Sequence, residues 1–536
     1  MTNPISDFEE SGCILVTGSN TSVGHPVIAN RIRRAARDRG TKLIVINPKY
    51  IDLCHYADVW LQNRPGTDVP LTNAMANVIL EEGMWDEQYV FERTEGFDNW
   101  RDAIKDYTPE VAEKITGVPA DDIRAAARLY ARPPSGRSAI AYTLGITLHR
   151  HGTDNVWALS NLALLTGNIG VVGGGVNPLR GHNNVQGACD MGCLPNVYPA
   201  YQQVGDPSNR AKFEAAWGMP MPEKPGLTEP EIMAAAGCGG IKALFILGEN
   251  PAVSDPDSNH AIAELKALDF LVVQEIFLTE TAQLAHVVLP GTTFAEKHGT
   301  FTSTERRVQR VRAAIPPVGN SRPDWDIVSE IARRVLAKQG RSAAPFEFNS
   351  PAEVMAEVNA VTPSYGGITY ERLESSGGLQ WPCPTTEHPG TPRLHIGKFT
   401  RGLGKFQPVH YIPPAEMPDE EYPLTLTTGR LLYHFHTGTM TRRVRGLNQI
   451  APEATVEMNP KDVVKLGLAD GEMARIVSRR GKVVARVNTT DSLAPGVVFM
   501  NFHFSESLTN ALTSPALDPI AKAPELKVCA VRVEKV

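Results

Sequence analysis

Short apolar runs alternate with helical patterns through the first third of the chain. Cys13 to Thr17 (CILVT) and Leu43 to Ile46 (LIVI) are unbroken apolar segments of strand length, and Pro26 to Asp38 between them reads as a basic helix. Strand, helix and strand in that order are the signature of a parallel βαβ unit. Residues 153 to 167 (TDNVWALSNLALLTG) open on a capping candidate, Thr153 or Asp154, carry an apolar stripe and stop at Gly167 and Asn168. This pattern predicts one buried helix.

The pattern then repeats. ILVTGSN at 14 to 20 resembles LFILGEN at 244 to 250, and a second apolar strand follows at a similar distance in each copy, LIVI around Val45 and LVVQ around Val273. A third element closes each copy, Ala57 to Leu61 ahead of Pro65-Gly66-Thr67 and Ala285 to Leu289 ahead of Pro290-Gly291-Thr292. Two α/β domains of like topology are implied. From about 340 to 420 the periodicity dissolves into Pro, Gly and Ser punctuation, which reads as a long wrapping connection. After Tyr422 come short β segments, LTLTT, ARIVS, VVARVN and VVFMNFHF, separated by the turns LADGE and RRGK, and these predict a compact barrel or sandwich. The expected division is 1–182 and 183–339 for the two α/β domains, 340–420 for the connection and 421–536 for the β domain.

Composition narrows the classes. A chain of 536 residues has room for three to four domains. With 53 basic against 59 acidic residues the net charge is -6, which weighs against a general nucleic-acid binder. No apolar run is long enough for a membrane span, and Asp7, Glu9 and Glu10 occupy the place of a signal peptide's basic region. Seven scattered cysteines, an odd number, predict reduced thiols and a cytoplasmic setting.

Several stretches could carry chemistry. Gly18 to Asn20 and Gly248 to Asn250 each close a strand ahead of a helix start, where unpaired backbone N–H groups and the helix dipole favour a phosphate. Either asparagine could instead bond its own turn. Asn47-Pro48-Lys49 and Gln274-Glu275 end the second strands, placed to read a ribose or base. Neither copy holds G-x-G-x-x-G, so an ordinary NAD site is not supported. Between Asn177 and Gly192, Arg180, His182, Asn183, Asn184, Gln186 and Asp190 crowd among glycines. The arginine fork suits a small carboxylate there, against the plainer reading of a surface loop with self-satisfied Asn turns. Cys189 and Cys193 read as buried thiols in preference to metal ligands. Thr428-Gly429-Arg430 leads into His434 and His436, which strand alternation would place on one face, with His503 near the end. Hydrogen bonding to a ligand is favoured there over a metal.

The segments ILVTGSN-T-x-x-x-HP, NPLRG-x-NNVQGACDMG, LGENP, VVQEIF-x-TETA, TTGR-x-x-x-H-x-HTGTMT and KVCAVRV occur in order. With them the chain resembles, over nearly its whole length, the catalytic subunit of molybdopterin-dependent formate dehydrogenases in the dimethyl-sulfoxide-reductase superfamily. The resemblance implies two related doubly wound α/β domains, a C-terminal barrel of double-psi type closing over both, and molybdenum or tungsten held by two molybdopterin guanine dinucleotides. By motif, Gly18, Asn20, Asn47, Asp68 and Gly145 would serve one dinucleotide, Gly248, Asn250, Gln274, Glu275 and Asp324 the other, and Arg430, His434, Asn510 and Lys527 would come from the barrel. Arg180 matches the arginine that orients formate, with His182 tuning the pocket, while two electrons leave for an iron-sulfur and flavin subunit that reduces NAD.

The resemblance also sets expectations about what is missing. Family members begin with a 4Fe-4S domain and a cysteine or selenocysteine metal ligand, neither of which is recognisable here. The expectation is a chain interrupted at a selenocysteine codon, split or incomplete, active once the cluster domain is supplied in cis or trans. Asn47 and Lys49 stand where Asp and Arg are frequent in the family, and Leu148 and His182 where Gln is common; Lys in place of Arg loses the bidentate geometry, so a base or phosphate contact there should be looser. The rival readings are another oxidoreductase of the superfamily, such as a nitrate reductase, and a scaffold like the large peripheral subunit of respiratory complex I.

Overall fold

The apolar runs of the first third become parallel strands because both of their faces are covered, the condition under which such sheets persist. In the computed structural model, which describes residues 1–536, β1 (Cys13–Thr17), β2 (Lys42–Ile46), β3 (Val59–Leu61), β4 (Ser138–Tyr142) and β5 (Val176–Pro178) form one parallel sheet in the order β3-β2-β1-β4-β5. One face, with Ile14, Val16 and Val45, packs with Ile28 and Ile32 of α1 (Pro26–Asp38). The other, with Leu15, Ile44 and Ile140, shares a core with α2 (Asp68–Glu81), α3 (Ala120–Ala131) and α4 (Gly152–Leu165). The helix expected over 153–167 is α4, buried along most of its length. Strand order reverses on either side of β1, which makes the carboxyl ends of β1 and β4 the switch point where α/β sheets bind ligands.

This sheet belongs to a compact unit made of Met1–Leu179, Pro251–Ala261 and Arg393–Val536. The same unit holds a closed six-stranded barrel: β9 (Leu424–Gly429), β10 (Thr455–Met458), β11 (Met473–Val477), β12 (Lys482–Thr489), β13 (Val497–Asn501) and β14 (Cys529–Lys535), in the order β9-β13-β10-β12-β11-β14. Pairings are parallel for β9 with β13 and β10 with β12, and antiparallel elsewhere. Leu426, Val456, Ile476, Val498 and Val531 fill the interior. Buried carboxylates tie the barrel's C-terminal loop to the start of α4: Asp518 accepts from the backbone N–H and hydroxyl of Thr153, both at 2.9 Å, and Glu525 accepts from the Arg150 N–H at 3.1 Å.

The second unit comprises Arg180–Asn250 and Ile262–Pro392. Its sheet is the other copy of the repeat: β6 (Ala243–Leu247), β7 (Phe270–Glu275) and β8 (Val287–Pro290), parallel, in the order β8-β7-β6. A hairpin of Gly299–Thr302 and Arg307–Val311 takes Leu379–Gln380 as a third strand. The Pro-rich connection is thus not bare loop. Its residues up to 392 form the helix Pro351–Val361 and that third strand, and Gly404–Lys405 pairs with Thr94–Glu95 in the first unit.

Candidate functional site

At the switch point of the first sheet two glycines meet. Gly18 has φ +53°, and its carbonyl accepts the Gly145 N–H at 3.0 Å and the Thr143 hydroxyl at 2.7 Å. A Cβ on Gly18 would lie 2.7 Å from the Gly145 carbonyl carbon, and one on Gly145 would lie 2.4 Å from the Gly18 oxygen. The two backbones pack directly on one another, so neither position has room for a side chain. Asn20 beside it is half-buried, and its Oδ1 is buried with no protein partner. Asp68, the first residue of α2, is buried, with the Asn63 amide at 3.4 Å and its own backbone N–H against the carboxylate. Burial pushes its carboxyl up to about 7.

The barrel contributes two part-buried cations to the same unit. Lys527 Nζ donates to the Thr428 carbonyl at 2.9 Å and reaches its hydroxyl at 3.3 Å. Burial, then the neighbouring Arg430 charge, brings the ammonium down to about 7. Burial also lowers Arg430, whose Nη2 is buried without a partner and whose guanidinium lies over the Phe435 ring, 5.0 Å from its centre. Two neighbouring desolvated cations, one with an orphaned guanidinium nitrogen, have the chemistry of a candidate anion site, because burying such charges unpaired is costly.

The turn that carries Arg430 is held by His503, whose Nε2 accepts the Leu431 N–H at 2.8 Å while Nδ1 donates to the His436 carbonyl. Burial lowers this imidazole to about 4, so it stays neutral in that tautomer. His434 and His436 do not lie on a strand, since β9 ends at Gly429 and turns follow. His434 is internally satisfied: Nε2 donates to the Ala451 carbonyl at 2.7 Å, leaving Nδ1 to accept from the Thr441 hydroxyl at 3.2 Å. Both amide hydrogens of Asn510 go to the carbonyls of Val253 and Ser254, each at 2.9 Å. Asn47 caps its own turn by accepting the Lys49 N–H at 3.0 Å, and Lys49 pairs with Glu457 at 2.5 Å. These four side chains brace the unit's loops, whereas Asn20, Arg430 and Lys527 leave binding capacity unused or unpaired.

In the second unit the copies diverge. Gly248 keeps the left-handed φ, +66°, but a Cβ there would meet nothing within 4 Å. Asn250 is occupied: Oδ1 accepts from the Thr281 N–H at 3.1 Å and hydroxyl at 2.7 Å, and Nδ2 donates to Glu280 at 2.9 Å. The unused capacity lies on the second strand, where Gln274 donates to Asp324 at 2.8 Å and its Oε1 is buried without a partner. Asp324 opens the helix Asp324–Lys338 and pairs with Lys297, which no local sequence signal marks. Glu275 accepts the adjacent Ile276 N–H at 2.7 Å.

The loop of Arg180 is anchored within the same unit. Asn184, at φ +63°, accepts the Thr302 N–H at 2.9 Å, and Asp190 at the end of the short helix Val185–Asp190 is buried. Its carboxylate accepts from Tyr365 at 2.5 Å, Gln186 at 2.8 Å and Tyr201 at 2.9 Å. Neither tyrosine gave a signal in the sequence, Tyr365 lying 175 residues away. The Arg180 N–H donates to Thr304 Oγ1 at 3.0 Å, and its guanidinium lies 3.4 Å from the Cys189 sulfur. His182 and Asn183 are exposed. Cys193 is exposed and Cys189 half-buried, against the expectation of buried thiols, and all seven cysteines are free. No group of three or more His, Cys, Asp or Glu side chains converges as a metal site.

Comparison with known proteins gives concordant results. The family described as Molybdopterin oxidoreductase matches residues 1–334, and the Molydopterin dinucleotide binding domain matches residues 424–530. The F420-dependent formate dehydrogenase subunit alpha of Methanocaldococcus jannaschii is 49% identical over 538 residues, spanning 100% of this chain and 78% of that protein. Formate dehydrogenase H of Escherichia coli is 38% identical over 542 residues, spanning 100% of this chain and 74% of that one. Among solved structures, acetylene hydratase from Pelobacter acetylenicus superposes with a TM-score of 0.76 at 20% identity, covering 99% of this chain and 81% of that chain, a likeness of fold.

Proposed function

Because this chain belongs to the molybdopterin oxidoreductase family, we propose that its two glycine-closed strands and its part-buried cation pair hold the two dinucleotide arms of the cofactor. The chain is the catalytic subunit of a formate dehydrogenase, which converts formate to carbon dioxide, one proton and two electrons. The observation that carries the assignment of residues is the Lys527 and Arg430 pair, two neighbouring desolvated cations of which Arg430 Nη2 has no partner.

The donor set fits the cofactor. In the first unit Gly18 closes the strand as in the other copy, Lys527 and Arg430 offer a pyrophosphate positive charge, and Asn20 and Asp68 offer acceptors for sugar hydroxyls or base N–H groups. In the second, Gln274 with Asp324 is the equivalent acceptor pair, Gly248 closes the strand, and Lys297 balances the carboxylate. When bound, the molybdenum or tungsten bis-dinucleotide supplies a two-electron acceptor for the formate C–H bond. Arg180 orients the formate carboxylate through its planar fork, and the anchoring of Asp190 by two tyrosines and Gln186 fixes the loop that carries it. His182, exposed beside it, tunes the field at that loop.

The electrons pass to a separate iron-sulfur and flavin subunit. Its acceptor is the deazaflavin F420 in preference to the NAD expected from sequence, a choice supported by relatives at 47–49% identity that are named F420-dependent. Free cysteines throughout suit a reducing compartment, and no helix is long and apolar enough to cross a membrane.

The test uses the complex isolated with its physiological partners. Formate-dependent reduction of F420, NAD and a viologen dye is compared for the parent and Arg180→Lys. We expect kcat/KM for formate to fall about 10²-fold, about 2.7 kcal/mol, with guanine nucleotide content unchanged. Equal activity in the variant, or turnover of nitrate in place of formate, would remove Arg180 from the role given to it.

A further inference from the structure

The loop that presents Arg180 fixes that residue at both ends. Its backbone N–H is held by Thr304 Oγ1 at 3.0 Å, and at the far end of the side chain Nη1 donates to the Cys189 sulfur at 3.4 Å. Cys189 is itself well anchored. It sits in the helix Val185–Asp190 one residue ahead of Asp190, whose carboxylate is pinned by Tyr365, Gln186 and Tyr201. Arg180 and Cys189 both act electrostatically on the Tyr201 hydroxyl, so guanidinium, sulfur and phenol share one corner of the unit. The sulfur is half-buried there, neither packed away in a core like Cys13 and Cys383 nor exposed like Cys193 and Cys238.

A sulfur is a weak acceptor for a guanidinium, and the weakness suits the task. A carboxylate at position 189 would meet the fork with two parallel hydrogen bonds and offset its charge, in direct competition with a substrate that is itself a carboxylate. An alkyl group would leave the long side chain to its rotamers, at an entropic cost on binding. The thiol steers one amino nitrogen and leaves the positive charge in place. We infer that Cys189 is a positioning residue for formate, its sulfur setting the plane in which the Arg180 fork meets the substrate carboxylate. The inference rests on the reading of Arg180 as the residue that orients formate.

The experiment measures kcat and KM for formate in the complex isolated with its physiological partners, for Cys189→Ala, Cys189→Ser and Cys189→Asp. The Ala variant should raise KM about five- to tenfold, the scale of one modest hydrogen bond. Ser keeps an acceptor and should stay within about threefold of the parent. Asp should raise KM by about 30-fold or more with kcat within about threefold, because saturating formate overcomes a competitor for the fork. A thiol that only filled space would give the reverse order of Ala and Ser, since a hydroxyl in its place would be left unpaired. In the Arg180→Lys background, Cys189→Ala should add less than about twofold, as expected of two residues that act through one contact. Guanine nucleotide content and the thermal melt should match the parent for Ala and Ser, and should Asp fail to fold, the order of those two and the double variant decide. A parent KM for Ala, a Ser variant worse than Ala, a folded Asp variant with unchanged KM, or a full effect of Ala on top of Arg180→Lys would each overturn the proposal. Parent kinetics for Arg180→Lys itself would overturn both this inference and the reading beneath it.

Discussion

Lys527 is protonated at a cost in the folded chain. Its ammonium titrates near 7 where an unfolded lysine titrates near 10.5, so between those values the unfolded state holds the extra proton and stability rises with pH. Below pH 7 the burial penalty is present in full. Replacing the residue with Met removes the penalty along with the charge. Lys527→Met in cofactor-free protein should therefore melt a few degrees higher than the parent at pH 6, with the gain shrinking at pH 9. The loaded protein should lose guanine nucleotide more readily. Thermal melts at the two pH values and nucleotide release on gel filtration check both arms, and a variant less stable at pH 6 would mean that Lys527 is already paired within the protein.

The glycines that close β1 and β6 look alike in sequence and differ in their surroundings. Gly18→Ala adds a left-handed strain and drives a methyl into the Gly145 backbone, which cannot yield. Gly248→Ala adds the strain alone, about 1–2 kcal/mol. Denaturant titration should show the first substitution costing at least twice as much as the second. The repeat itself was legible because apolar strands and the G-x-N triplet are local features. The division of labour between Asn20 and Asn250 was not, because the partners of Asn250 are Glu280 and Thr281, which come close only once the sheet has formed. The same holds for Lys49, whose carboxylate is Glu457 in the barrel, and for His434, satisfied by a carbonyl seventeen residues on. Arg180, Gly18 and Lys527 were candidates by motif; Tyr365 and Lys297 enter only through the fold.

Neither unit is a contiguous stretch. The first takes three segments of chain and the second takes two, with crossings at 179/180, 250/251, 261/262 and 392/393. No single cut separates them. A chain ending at Pro392 keeps every strand of both parallel sheets but loses the barrel, and with it Asp518 and Glu525, which satisfy the backbone at the start of α4. Such a fragment should lose the cooperative melt of the first unit and bind a hydrophobic dye. A native-like melt from it would show that the first sheet stands without the barrel.

The interleaving of segments has a consequence in time. The strands that lead to Gly18 and Gly145 leave the ribosome early, whereas Lys527, which belongs to the same unit, lies near the C-terminus. At about 5–20 residues per second, the roughly 350 residues between Leu179 and Lys527 take about 20 to 70 seconds to synthesise. Through that interval the early strands wait for their barrel, so the first unit is not closed until translation is nearly over. Loading of a large anionic cofactor is thereby scheduled after synthesis, by the order of the gene alone.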